Sequence, residues 1–121
     1  MQKVNDEVTV TYQVTAGGGP GDIVSSRDFV LVYKSAYKGD IYVQAGRSVD
    51  MPGAPTTPKA VRAENGPTGT VVKPLPDGKT EFRWLMDCDY KGMVPSSILE
   101  IAMPIVQMDF LACVRKMAKT L

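Results

Sequence analysis

Apolar and polar positions alternate along most of this chain, and a helical period appears only at its end. From Val8 to Thr15, Val8, Val10, Tyr12 and Val14 alternate with Thr9, Thr11 and Gln13, the two-residue period of a strand. Ala16 to Gly21 breaks it with a glycine cluster that lacks the Gly-Lys-Ser/Thr of a phosphate loop, and so reads as a turn or bulge. Ser26 to Tyr37 reads as a second strand, with Phe29, Leu31 and Tyr33 on one side and Val30 and Val32 on the other. Apolar residues on both sides predict burial on both. Lys38-Gly39-Asp40 turns the chain into Ile41 to Gly46 and makes a hairpin. Val49 to Pro58, with Met51, Gly53 and prolines at 52, 55 and 58, predicts a long surface loop. Ala60 to Glu64 is short and extended, Asn65-Gly66-Pro67 turns, and Thr68 to Leu75 is the next strand. Pro76-Asp77-Gly78-Lys79 marks a hairpin turn into Thr80 to Asp89, where Phe82, Trp84, Met86 and Cys88 alternate with Glu81, Arg83, Leu85 and Asp87.

The helical segment runs from Ser96 to Leu121. Ser97 and Glu100 have the spacing of a capping box, with Pro95 ahead. Leu99, Met103, Val106, Phe110, Cys113, Val114 and Met117 form one apolar stripe, and Ile98, Ile101, Ile105, Met108 and Ala112 a second. Such a helix is expected to be covered on both sides, or to be covered on one and face a ligand on the other. Pro104 lies inside it, removes the bond to Glu100 and predicts a bend. About six antiparallel strands followed by one helix predict an α+β fold with a curved sheet closing on the helix. That leaves open whether the interior is packed or hollow.

Composition narrows the chemistry. The 121 residues suit one domain, and a net charge of +1 with no basic cluster argues against nucleic acid as a partner. No apolar run is read as a membrane span and no leader is read ahead of the first strand, so a cytoplasmic protein is expected. Cys88 and Cys113 have no pairing pattern and are expected as free thiols. Histidine is absent, which removes the commonest general base and metal ligand. Asp87 and Asp89 share a face and form a conceivable acid/base pair, but Glu81 and Arg83 on that face favour simple solvation. Arg62 and Glu64 read as an ion pair or edge decoration of little energy. No cofactor or metal is expected, and binding is favoured over catalysis.

Several segments resemble the StAR-related lipid-transfer, or START, domains. Ser25-Ser26-Arg27-Asp28-Phe29-Val30 is similar to the family's Pro-Arg-Asp-Phe-Val, and Val61 to Pro67 to its Val-Arg-(Gly/Ala)-Glu-(Asn/His)-Gly-Pro. Trp84 to Ser97 resembles Trp-x-x-x-x-Asp-Leu-Lys-Gly-x-(Leu/Ile)-Pro-x-Ser, and Met108-Asp109-Phe110 with Val114-Arg115-Lys116 its closing helix. The resemblance implies a helix-grip fold, a lipid-binding tunnel between sheet and C-terminal helix, and a lid made by residues 47–58 and the helix. It maps the ligand-binding positions to Gln13, Tyr33, Gln44, Asn65, Trp84, Met103 and Phe110. The implied ligand is a sterol such as cholesterol, with a carotenoid as the alternative, and transient membrane contact. Where the cholesterol branch carries a buried acid and an arginine, this chain has Gln13 and Tyr33, although Gln13 falls on the threonine side of its strand. Losing both charges together avoids stranding either one, and hints at a ligand with less need of a charged anchor. The resemblance covers the C-terminal half of the family domain over residues 1–121, so self-association, completion by another chain, or an interaction module that binds no lipid is also expected.

Overall fold

The computed structural model describes residues 2–18 and 24–121; Gly19-Pro20-Gly21 of the glycine cluster lies outside them. The chain divides into two compact units, residues 1–91 and 92–121.

The first unit is all strand. In chain order the strands are β1 (Gln2–Lys3), β2 (Val8–Thr15), β3 (Arg27–Lys38), β4 (Ile41–Ser48), β5 (Val61–Arg62), β6 (Glu64–Asn65), β7 (Thr68–Pro74), β8 (Thr80–Leu85) and β9 (Cys88–Asp89). The main sheet runs β1-β2-β3-β4-β7-β8 with antiparallel neighbours. The alternating segments become strands because each offers one side chain set to either face, and the turns sit where glycine tolerates the backbone. Gly39 and Gly78, at the two hairpin tips, have φ of +64° and +76°. The antiparallel expectation has one exception. β4 leaves β3 at Leu31, and after the 49–60 loop β5 returns to pair with Arg27 and Asp28 of β3 in parallel. The expected strand from Thr80 to Asp89 is also interrupted: β9 departs from the main sheet and pairs with β6.

The core sits at the start of β3. Phe29, Val30, Leu31 and Ala63 are buried, and Tyr33, Cys88 and Tyr90 pack against the cluster of Phe29, Leu31 and Ala63. Burial on both faces of this stretch is as the sequence predicts. The small β6–β9 ribbon covers the Phe29 and Leu31 side, which is why the chain must break at Met86-Asp87 rather than continue along β8.

The second unit contains α1 (Ser96–Ala118). The expected capping box does not form. Pro95 is the N-cap residue, no side chain caps the helix, and Ser97 already lies inside it. Pro95 fixes its own φ and lends its carbonyl to the Ile98 N–H at 3.0 Å, so the boundary precedes the serines. Arg115 and Lys116 in the last turn complement the helix dipole. None of the helix residues is buried, and Ile101, Ile105, Met108, Phe110 and Met117 are exposed. By length and composition alone α1 is also long and apolar enough to cross a membrane, against the sequence reading.

Candidate functional site

Strand register assigns the side chains to faces. Residues directly opposite in a ladder share a face, so Thr9, Thr11 and Gln13 of β2 lie with Tyr33, Leu31 and Phe29 of β3. The same face continues through Tyr42, Gln44, Gly46 and Ser48 of β4, Thr68, Thr70 and Val72 of β7, and Phe82 and Trp84 of β8. The threonine side of β2 therefore belongs with the aromatic side of β3. Gln13, Tyr33, Gln44 and Trp84, all singled out from the sequence, stand on this one face.

Across β2, β3, β4, β7 and β8 the face carries a single charged residue, Arg27 at its end. That guanidinium is buried and consumed: Nε donates to the Tyr90 carbonyl at 3.0 Å and Nη2 to the Lys91 carbonyl at 3.0 Å. Its Nη1 donates to Ser25 Oγ at 3.0 Å. The remainder is threonine, serine, glutamine, glycine and aromatic or aliphatic side chains. The opposite face differs, with Asp28, Lys34, Lys38, Arg47, Lys73, Glu81 and Arg83.

Two polar clusters stand on the uncharged face. A side-chain hydrogen bond joins Gln13 to Tyr33, while burial pushes the Tyr33 phenol above its ordinary value. Farther along, Tyr42 Oη donates to Ser35 Oγ at 3.0 Å and Gln44 Nε2 reaches the same oxygen at 3.4 Å. Thr11, in register with Leu31, carries a buried hydroxyl with no partner among the described residues. Asn65 lies on the β6–β9 ribbon and is tied to this face by its N–H, which donates to Ser48 Oγ at 2.7 Å. Met103 and Phe110 belong to the second unit; seven residues apart, they fall on one side of the helix, Met103 half-buried and Phe110 45% exposed.

A second network holds the 49–60 loop. The Asp28 carboxylate, buried, accepts from Arg62 Nε at 2.6 Å and Nη2 at 3.3 Å, from Tyr12 Oη at 2.9 Å and from the Thr57 N–H at 3.3 Å. Arg62 Nη2 also donates to the Pro55 carbonyl at 2.7 Å, and Thr57 Oγ1 stands 2.6 Å from Tyr12 Oη. The Arg62 guanidinium beside Asp28 holds its carboxyl below the usual carboxylate range, outweighing the opposing effect of burial. Arg62 and Glu64 do not pair with each other. Arg62, itself 40% exposed, pairs with the buried Asp28, and Glu64 faces Lys91 at 3.6 Å in an exposed pair of little energy. The signal was present in Arg27-Asp28, charged residues embedded in an apolar strand that could be buried only if paired.

A family model described as the START domain matches residues 1–120. The chain belongs to the START domain family. It is 38% identical over 112 residues to the mitochondrial steroidogenic acute regulatory protein of Danio rerio, covering 91% of this chain and 39% of that one. The Homo sapiens counterpart is 35% identical over 118 residues, 96% of this chain and 41% of the relative. The chain thus spans about two fifths of the length of these curated relatives. Among solved structures, human StAR-related lipid transfer protein 5 superposes with a TM-score of 0.86 at 26% identity, over 96% of this chain and 56% of that one. Human STARD10 gives a TM-score of 0.69 at 21% identity, over 90% of this chain and 45% of its own, a likeness of fold alone. The α+β fold of antiparallel sheet and C-terminal helix is the family's.

In this START chain the motifs that carry the resemblance meet in space. Arg27 of the first holds the Tyr90-Lys91 backbone of the third, and Asp28 holds Arg62 of the second. Recesses occur on the first unit. One of about 620 Å³ is polar, lined by Arg47, Arg62, Glu64, Asn65, Asp87 and Asp89 among others. Another, about 230 Å³, lies between Val10, Tyr12 and Val30 and the loop residues Met51, Gly53 and Pro55. An open groove of about 350 Å³ follows β4, β7 and β8, with Val43, Ala45, Val71 and Leu85 from the face opposite Tyr33. Asp87 and Asp89 both line the polar recess, yet Lys91 sits 2.9 Å from Asp89 and holds its carboxyl low, the reverse of what a general acid needs.

Proposed function

We propose that this START chain binds an uncharged hydrophobic lipid, a sterol such as cholesterol in the first place, and transfers it rather than transforming it. The single observation that carries the reading is the uncharged face on which Gln13, Tyr33, Gln44 and Trp84 are in register. A carboxylate or phosphate placed against β2, β3, β4, β7 and β8 would find their one cation, Arg27, already committed to backbone carbonyls and would lose its hydration without return, whereas a neutral lipid loses only apolar hydration, worth about 25 cal/mol per Å². Asn65 of the β6–β9 ribbon is a further proposed contact on the first unit; on the second unit taken by itself, Met103 and Phe110 of α1 are the residues proposed to touch lipid. Transfer requires transient contact with a membrane from the cytoplasm. The 49–60 loop is the proposed gate, a conformational step rather than a chemical one.

The replacement of a charged pair by Gln13 and Tyr33 favours a second, related reading, a carotenoid in place of a sterol. Native mass spectrometry of the 121-residue chain after incubation with vesicles containing cholesterol and oleate tests both. One sterol adduct and no oleate adduct are expected. Oleate bound in preference, or no lipid retained at all, would overturn the reading, and a visible absorption band in the purified protein would transfer it to the carotenoid.

A further inference from the structure

The main sheet ends differently on its two sides. On one side stands β1, two residues long; on the other stands β8, six residues long, which pairs with β7 alone among the described residues. A long open edge is a template for another strand, and folded proteins blunt such edges with charged residues, proline or a bulge. β8 has no proline, its register against β7 is unbroken, and its two charges, Glu81 and Arg83, are opposite in sign. At the hairpin the Leu75 N–H donates to the Lys79 carbonyl at 2.8 Å, so the Lys79 backbone faces the β7 side. Backbone direction alternates along a strand, which turns Glu81 and Arg83 towards β7 and the N–H and C=O of Thr80 and Phe82 outwards.

Two copies meeting at this edge about a two-fold axis must set outward residues against outward residues, so only every second register is open. Charge chooses among them. With Phe82 opposite Phe82 of the second copy, Glu81 of each copy stands across from Arg83 of the other, and Thr80 across from Trp84. Moving the axis one residue towards Thr80 would set Glu81 against Glu81, and one residue towards Trp84 would set Arg83 against Arg83. Like charges directly opposite are destabilising, so the strand is self-complementary only when centred on Phe82. Residues directly opposite also share a face, and the uncharged face of one copy would run on into that of the other.

We infer that, independently of any bound lipid, the chain forms a two-fold dimer by antiparallel pairing of β8 with β8 of a second copy, centred on Phe82. The N–H and C=O of Phe82 exchange both hydrogen bonds with Phe82 of the second copy, and the half-buried rings become neighbours. The ion pair that Glu81 and Arg83 make within one strand, at 2.7 Å, gains two counterparts across the axis. The Arg83 side chain is 73% exposed, so these charges select the register more than they add strength.

Sedimentation velocity of the 121-residue chain over a concentration series tests the dimer. A species of twice the 13.1 kDa chain mass, dissociating on dilution, is expected; a monomer throughout would overturn the inference. Hydrogen exchange locates the contact. The Phe82 amide is expected to be protected in concentrated solution and to exchange faster on dilution, while the Arg83 amide, turned towards β7, is unchanged. Association that leaves the Phe82 amide indifferent to concentration would place the contact elsewhere and overturn the pairing. Glu81→Arg and Arg83→Glu each set like charges across the axis twice and are expected to weaken the dimer roughly tenfold. The double variant re-forms the opposite pairs with their ends exchanged and is expected to recover the parent affinity. Arg83→Glu, on the more exposed of the two side chains, keeps the test sharp should Glu81→Arg fail to fold. A dimer as tight in the single variants as in the parent, or one that the double variant does not restore, would overturn the register.

Discussion

Gly46 stands directly across from Tyr33 in the β3–β4 ladder, and a methyl group at that position would overlap the tyrosine ring and the Val32 carbonyl. The missing side chain is what lets the ring lie beside β4 while its hydroxyl meets Gln13. Gly46→Ala is therefore expected to displace the ring, break the Gln13 bond and cost about 1–3 kcal/mol by overpacking. Chemical denaturation checks the stability. A Tyr33 phenol that titrates unchanged in the variant would contradict the displacement.

Asp28 and Arg62 secure the 49–60 loop from beneath. Asp28→Asn removes the charge that Arg62, Tyr12 and the Thr57 N–H converge on, and is expected to cost about 1–3 kcal/mol, the Arg62 side being partly solvated. The folded-state pKa of Asp28 is depressed, so its contribution is present above the ordinary carboxylate range and lost as pH falls through the lower folded value. Faster limited proteolysis within residues 51–57 of the variant is the expected signature. An intact loop with unaltered acid stability would refute the tether.

Arg27 joins Ser25 to the Tyr90 and Lys91 carbonyls through a planar fork of donors. Lysine keeps the charge but cannot span both carbonyls and the serine at once. Arg27→Lys is expected to lose about 1–3 kcal/mol, the cost of a buried polar group left unpaired. Faster hydrogen exchange at β6 and β9 is the local readout, and protection equal to the parent chain would count against this role.

Alkali should loosen the same core. Burial and the neighbouring Cys88 push the Tyr90 phenol from near 10 up to about 12, and burial raises the Cys88 thiol above its ordinary 9.0. Both folded pKa values are raised, so the stabilisation is complete below the unfolded values and disappears as pH climbs through the folded ones. Tm is expected to decline from about pH 9 upward and most steeply between pH 10 and 12. Tyr90→Phe should flatten the upper part of that decline; an identical profile would assign it elsewhere.

Met103 and Phe110 fall on one side of α1, while Arg83 lies on the charged face of the sheet and pairs with Glu81 at 2.7 Å. Met103→Ala and Phe110→Ala are expected to reduce lipid uptake several-fold, and Arg83→Ala to leave it within error. Equal losses from all three in a vesicle uptake assay would defeat the assignment of faces.

The strands and turns were legible in the sequence because their causes are local. The alternation of Val8 to Thr15 and the glycines of the two hairpin tips act within a few residues, and β2 falls where the pattern places it. The α+β class followed from the same periods. The helix boundary did not, because a Ser97–Glu100 spacing says nothing of whether Pro95 has already supplied the cap. Register decided what period could not. Only the pairing of Gln13 with Phe29, and of Thr9 with Tyr33, shows that the polar side of one strand continues the aromatic side of the next. Likewise, the destinations of Arg27 and Arg62 lie more than 30 residues away in the chain, at Tyr90 and Asp28. Sequence fixes which face each side chain takes relative to its own neighbours, because that is a property of the backbone. Which face of another strand it joins is settled by hydrogen-bond ladders that close over long loops, and that information exists only once the chain is folded.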